Sequence, residues 1–186
     1  MNEDPFQNKK PGQEQLEVRV EVAKPEDLEA YKNIRIESVT LNPEAFGLTL
    51  ERALSKTDDD WRAELSGDKK FFVLAVSGTD VKNAKSIAGA FKGLEEGVWR
   101  VIAVYTKPEF RKRGISERVL SKVLEEISKR GGLKAVLTVT DRPEQEAARA
   151  LYKKLGFKEG VPSENDVTPA FRLFLEKNLD NQRDAG

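Results

Sequence analysis

Apolar and polar positions change period several times along the chain, and each change marks a new element. In LEVRVEV, residues 16–22, Leu16, Val18, Val20 and Val22 alternate with polar positions, the period of a half-buried strand. KPEDLEAYKNIRIESVTL then opens with Pro25 and two acids, a favourable first turn, and places Leu28, Tyr31, Ile34 and Leu41 at helical spacings. NPEAFG ends that helix. From Thr49 the pattern predicts a single second helix, with Leu50, Leu54, Trp61 and Leu65 four, seven and four apart and Gly67 just beyond. FFVLAV, residues 71–76, is a continuous apolar run of strand length, SGTDVKNAK supplies turn residues, and SIAGAFKG returns as a second strand, which together predict a hairpin. VWRVIAVY, residues 98–105, predicts another strand. After it Ile115, Val119, Val123 and Ile127 recur every four residues, a helix that Gly131 and Gly132 stop. LKAVLTV reads as a strand, EQEAARALYKKLG as a helix with Gly156 at a left-handed cap, and AFRLFLEK as a late strand.

The strand–helix–strand passage at 98–139 predicts a parallel pair joined by a right-handed crossover. The other strands predict antiparallel neighbours, so the expected class is α/β, a mixed and mostly antiparallel sheet with one parallel central pair and flanking helices. Residues 1–14 are polar and contain Pro5 and Pro11, which predicts a mobile tail; residues 15–178 predict one domain, and 179–186 a polar C-terminal tail.

Composition narrows the chemistry. In 186 residues, Lys plus Arg number 32 and Asp plus Glu number 32, so a globally basic nucleic-acid binder is excluded and any basic feature must be local. The chain has no histidine and no cysteine, which removes disulfides, thiol nucleophiles, the usual zinc sites and every Ser-His or Cys-His arrangement. No apolar run approaches the roughly 20 residues that span a bilayer, and MNEDPFQNKKPGQEQ lacks the apolar core of a secretory signal. The expectation is a soluble, cytoplasmic protein with no metal and no membrane or nucleic-acid partner.

PEFRKRGISERVL, residues 108–120, places Arg111, Lys112 and Arg113 directly before Gly114 and the start of a helix. A helix start leaves about four N–H groups without intrahelical partners and favours anions, so this turn reads as a cradle for a phosphate or pyrophosphate. An exposed strand-to-helix turn in a chain that is 34% charged is the other reading.

VYTKPEFRKRGIS, followed some thirty residues later by ALYKKLGF, resembles the GCN5-related N-acetyltransferase superfamily, as does the order of elements over residues 16–177. The resemblance implies that the backbone amides of Arg111, Lys112, Arg113, Gly114, Ile115 and Ser116 bind the pyrophosphate of acetyl coenzyme A. It implies that Val104, Tyr105 and Thr106 pair with the acyl-pantetheine arm, that Gln145 holds a cofactor-contact position, and that Tyr152 is the general acid. Ala148, Leu151, Gly156 and Phe157 match the rest of the second motif. Three positions depart from the family pattern: Thr106 for Val, Ser116 for Gly or Ala, and Gln145 for Asn. Tyr152 also reads as a packing residue beside Leu151 and Leu155, and Trp61, Trp99, Tyr105, Phe71 and Phe72 as core or pocket wall.

The implied reaction moves an acetyl group to a primary amine of a small molecule or of a peptide or protein. Direct attack in a ternary complex is expected, because no thiol exists to carry the acyl group. With histidine absent, a base would be a carboxylate, and Glu37, Glu95 and Glu96 are candidates that read equally as solvated surface groups. A non-catalytic acyl-coenzyme A-binding sensor or scaffold is the alternative, and a homodimer is allowed.

Overall fold

The computed structural model describes residues 18–78, 80, 82–163 and 172–179. The strands are β1 (Val18–Val22), β2 (Lys70–Ser77), β3 (Ser86–Lys92), β4 (Val98–Thr106), β5 (Lys134–Thr140), β6 (Lys158–Glu159) and β7 (Arg172–Asn178), and the helices α1 (Leu28–Leu41), α2 (Leu50–Ser55), α3 (Asp58–Leu65), α4 (Ile115–Lys129) and α5 (Glu146–Lys154). Among the described residues the strands form one sheet in the order β1-β2-β3-β4-β5-β7-β6. All neighbours are antiparallel except β4 and β5. The mixed α/β architecture, the hairpin and the parallel central pair are as the sequence predicts; the two-residue β6 is an addition with no periodicity to announce it. Leu16 and the tail at 1–14 lie outside the described residues. So does most of the tail at 179–186, whose first residue, Leu179, is buried and donates its N–H to the Leu133 carbonyl at 2.8 Å.

Both faces of the sheet are covered, which explains why β2 is apolar without alternation. Phe71, Val73 and Ala75 pack on the face of α4 and α5, with Trp99, Val119, Val123 and Ile127. Phe72, Leu74 and Val76 pack on the opposite face, with Tyr31, Ile34 and Trp61 of α1 and α3. Burying a large apolar side chain contributes about 1.5–3 kcal/mol, so the two clusters hold α4 and the α1–α3 group to a common sheet.

The single helix expected from Thr49 is two. Lys56 and Thr57 are extended, and Thr57 begins α3 with a capping box: its hydroxyl accepts from the Asp60 N–H at 3.2 Å, and the Asp60 carboxylate accepts from the Thr57 N–H at 2.8 Å. The seven-residue gap between Leu54 and Trp61 spans this break. Leu54, on the short α2, is therefore 64% exposed, whereas Trp61 is fully buried. Leu41 also faces solvent; Val39 turns inward in its place.

Two irregularities of β4 shape everything that follows. Parallel pairing with β5 covers only Val98↔Lys134, Trp99↔Ala135 and Arg100↔Val136, after which the strands separate. On its other edge the register with β3 slips between Ile87 and Gly89, where one residue of β3, Ala88, faces two of β4, Ala103 and Val104, and Ala103 has a φ of 57°. This is a bulge, and it reverses the alternation. Trp99 and Val101 face α4, but Ala103 and Tyr105 belong to the cluster under α1.

Candidate active site

β4 ends at Thr106, residues Pro108–Phe110 make one tight turn, and α4 begins at Ile115. Lys112 and Gly114 both have left-handed backbone, with φ of 59° and 72°. Glycine adopts this freely and lysine at a cost, so the loop is held in an unusual shape. Part of the hold comes from Arg111, whose Nε donates to the Thr106 carbonyl at 3.0 Å and ties the loop back to its strand. The first bond into α4 runs from the Arg118 N–H to the Gly114 carbonyl, 3.1 Å. The Arg111 N–H, expected to face the pyrophosphate, instead donates to the Pro108 carbonyl at 3.2 Å, whereas among the described residues no acceptor meets the N–H groups of Lys112, Arg113, Gly114, Ile115, Ser116 or Glu117. A Cβ built on Gly114 would meet nothing within 4 Å, so the space in front of the loop is open.

That space belongs to a cavity of about 520 Å³. Val104, Tyr105, Thr106, Arg111, Lys112, Gly114, Ile115, Ser116, Gln145 and Tyr152 all line it, so the structure gathers nearly every predicted site residue. Arg113 is outside the lining and lies over the Phe110 ring, 5.7 Å from its centroid. The Ser116 hydroxyl lies 3.2 Å from Thr106 Oγ1, within hydrogen-bond distance. Ser86 locks Thr106 from behind, donating to the Tyr105 carbonyl at 2.9 Å and lying 2.7 Å from Thr106 Oγ1.

Tyr152 stands on α5, whose end is fixed by Gly156 at φ 87° and by the Phe157 N–H donating to the Tyr152 carbonyl at 3.0 Å. Its ring meets Phe157 edge-on at 6.0 Å. Burial pushes its hydroxyl well above the ordinary tyrosine value, so the group stays protonated at neutral pH. Gln145, at the start of α5, makes no cap bond with its side chain.

A second cavity, about 380 Å³, opens where β4 and β5 part, with residues 101–104 and 137–140 as its walls. Ala45, Phe46, Val104, Gln145 and Tyr152 line both cavities, so the two meet at Tyr152. Glu64 is the carboxylate of this second lining. Burial pushes its carboxyl up, but Lys56, the Tyr31 hydroxyl and Lys70 more than offset this and hold it below its usual range. Burial likewise pushes the Lys70 ammonium below its ordinary value, and Lys56 and Arg35 act in the same direction against the pull of Glu64.

The three carboxylates suggested by sequence are elsewhere. Glu95 lines a separate cavity at the start of β4, and Glu96 follows it. With β4 nine residues long, about 3.3 Å each, both lie some 25 Å from its far end. Glu37 accepts from the Tyr105 hydroxyl at 2.9 Å and pairs with Lys107 at 2.8 Å, and it lines neither cavity. Sequence reading also passed over Arg35, Phe46 and Glu64, since one arginine on a helix, one loop phenylalanine and one helical glutamate carry no spacing signal.

The family model of the acetyltransferase (GNAT) family matches residues 40–157, more than half of the chain. The chain belongs to the GNAT acetyltransferase family. Several solved structures share its fold. An acetyltransferase of the GNAT family from Streptococcus pneumoniae is 18% identical at a TM-score of 0.67, covering 88% of this chain and 99% of that one. The PaiA N-acetyltransferase from Thermoplasma acidophilum, solved in complex with coenzyme A, is 18% identical at 0.64, covering 87% and 98%. A GNAT superfamily phosphinothricin acetyltransferase from Sinorhizobium meliloti, solved with acetyl coenzyme A, is 17% identical at 0.66, covering 87% and 88%. A search of curated proteins gives no match. In this GNAT chain no described helix is long and apolar enough to cross a membrane, and no described group of His, Cys, Asp and Glu could hold a metal.

Proposed function

We propose that the protein is an acetyl-coenzyme A-dependent N-acetyltransferase acting on a primary amine of a small molecule or peptide, by direct attack in a ternary complex. The observation that carries this reading is the meeting of two cavities at Tyr152, one fronted by a loop of unpartnered N–H groups and the other opening between parted strands.

When bound, acetyl coenzyme A supplies a thioester carbonyl carbon and a thiolate leaving group. The N–H groups of residues 112–117 and the Ser116 hydroxyl hold the pyrophosphate. The β5-facing edge of Val104, Tyr105 and Thr106, which no strand pairs, offers backbone groups to the pantetheine arm. Gln145 presents its amide where the cavities join. Tyr152 gives its proton to the sulfur as the C–S bond breaks and the C–N bond forms; the amine nitrogen passes one proton to solvent water, and solvent returns one to the Tyr152 oxygen. A tyrosine kept protonated by burial suits that task.

Glu64 is the one carboxylate among the described lining residues of the acceptor cavity, so a water relay to solvent takes the amine proton. Glu64 is held ionised by its cationic partners and is a weak proton acceptor. Burial, with Lys56 and Arg35 adding to it against the pull of Glu64, lowers the Lys70 ammonium, and the same surroundings favour the neutral form of an amine placed beside them. A panel of amines and peptides read by release of the coenzyme A thiol tests the reading. Thiol release from at least one amine is expected; binding of acetyl coenzyme A with no release across the panel would leave a binding module instead.

A further inference from the structure

The acceptor cavity contains a buried cation with two of its three nitrogens unpartnered. Arg35 of α1 is 6% exposed and lines this cavity, and its Nε and Nη1 meet no hydrogen-bond partner. The Phe72 ring lies 5.7 Å from its Cζ and offers only a weak quadrupole. Glu64 is the one carboxylate among the described lining residues, and Lys56, Lys70 and Tyr31 already occupy it. Arg52, Lys56, Lys70, Arg100 and Arg172 line the same cavity and add positive charge to it. Buried polar groups are nearly always paired, and a buried guanidinium that meets only the Tyr31 hydroxyl and leaves Nε and Nη1 without acceptors is costly for a fold to keep. A ligand that brings the counter-charge resolves this.

We propose that the acceptor carries an oxyanion, a carboxylate or a phosphonate, on the same molecule as its reacting amine, and that Arg35 binds that oxyanion. Arg35 and Tyr152 line one cavity of about 380 Å³, near the lower end of the roughly 300–1,000 Å³ of small-molecule sites. The molecule is therefore compact, an amino acid or an aminoalkyl acid, with its anion under α1 and its amine toward Tyr152. The planar guanidinium matches the geometry of carboxylate and phosphonate oxygens and is only weakly hydrated, which suits a buried partner. The amine half of this proposal rests on the transferase reading; the anion half does not.

The test uses matched ligands on the full chain: L-amino acids and a series of ω-amino acids, each against its amide, together with aminoalkylphosphonates. Binding is measured by calorimetry with and without coenzyme A, and transfer by thiol release. At least one acid is expected to bind roughly 30-fold or more tightly than its amide, the loss typical of removing one partner of a buried charge pair. The carboxylate and phosphonate arms show which oxyanion is preferred. These comparisons are made on the wild type, so they hold even where a variant folds poorly. Arg35→Met is expected to abolish the preference without lowering the ligand-free Tm, because an unpaired buried charge leaves with the side chain; Arg35→Lys should keep part of the preference. Amides binding as well as acids, no binding by any acid or phosphonate, or an Arg35→Met protein that retains the preference would each overturn the proposal. Thiol release with neutral amines only would sink the anion site and keep the transferase. Acid-selective binding without thiol release would keep the anion site and sink the transferase.

Discussion

The Tyr152 hydroxyl is chemically separable from the ring that carries it. The ring packs on Phe157, while the hydroxyl meets no described partner and stands between two cavities. Tyr152→Phe should leave acetyl-coenzyme A affinity nearly unchanged and lower kcat by roughly the 10²–10⁴ of a lost general acid. A paired calorimetric and single-turnover measurement checks this, and a kcat within a few-fold of wild type would show that the residue only packs. The pH profile has a definite sign. The folded pKa is raised, so the acid form persists as pH rises, and no loss of activity from Tyr152 should occur below about pH 10.

The loop between β4 and α4 and the knot between α1, α3 and β2 are the two elements with separable consequences. In the loop, Gly114 has a φ of 72° and open space before it, so any side chain is strained and projects at the pyrophosphate position. Gly114→Asp should abolish cofactor binding in calorimetry. Lys112→Ala and Arg111→Ala should weaken it less, because backbone N–H groups make the contacts and the Arg111 guanidinium is turned back to Thr106. An alanine variant more damaged than Gly114→Asp would mean that side-chain charge governs the loop. In the knot, Glu64 accepts from Tyr31 of α1 and pairs with Lys56 and, at 3.3 Å, with Lys70 of β2. Glu64→Gln should cost roughly 1–3 kcal/mol at pH 7 in denaturant unfolding. Because the folded pKa of Glu64 is depressed, its contribution is complete above its ordinary value of 4.5 and is lost as pH falls through the lower folded one. The gap between wild type and variant should therefore narrow in acid, and a gap independent of pH would contradict the assignment.

Both faces of one sheet are covered, and the cofactor cavity draws on β4, α4 and α5 together. A ligand there should stabilise the chain as a unit, in one cooperative transition. At a hundredfold excess over Kd, binding to the folded state alone adds about 2.7 kcal/mol, which for a chain of this length is a rise in Tm of roughly 5–10 °C. Differential scanning fluorimetry with acetyl coenzyme A measures it, and the shift should vanish in a folded Gly114→Asp protein. A shift of equal size in that variant would place the cofactor elsewhere.

Much of this was legible in the chain because it depends on near neighbours. The four-residue spacing of Ile115, Val119, Val123 and Ile127, the glycine after α5 and the turn before Ile115 are local patterns, and each maps onto the element it predicts. The break before α3 was legible too, since Thr57 with Asp60 three residues on is a capping signal, but the spacing of Leu54 and Trp61 concealed it. The bulge at Ala103 and the parting of β4 from β5 after three pairs have no such signature, because both strands stay apolar through the change. Nor could Arg35 be recognised, for it occupies an ordinary polar position on a helix until Phe72 and Lys70 of β2 and the acceptor cavity close around it. Period and turn chemistry are set by residues a few positions apart. Burial, strand separation and unmatched charge are set by what packs across from a residue, and those partners come from distant parts of the chain.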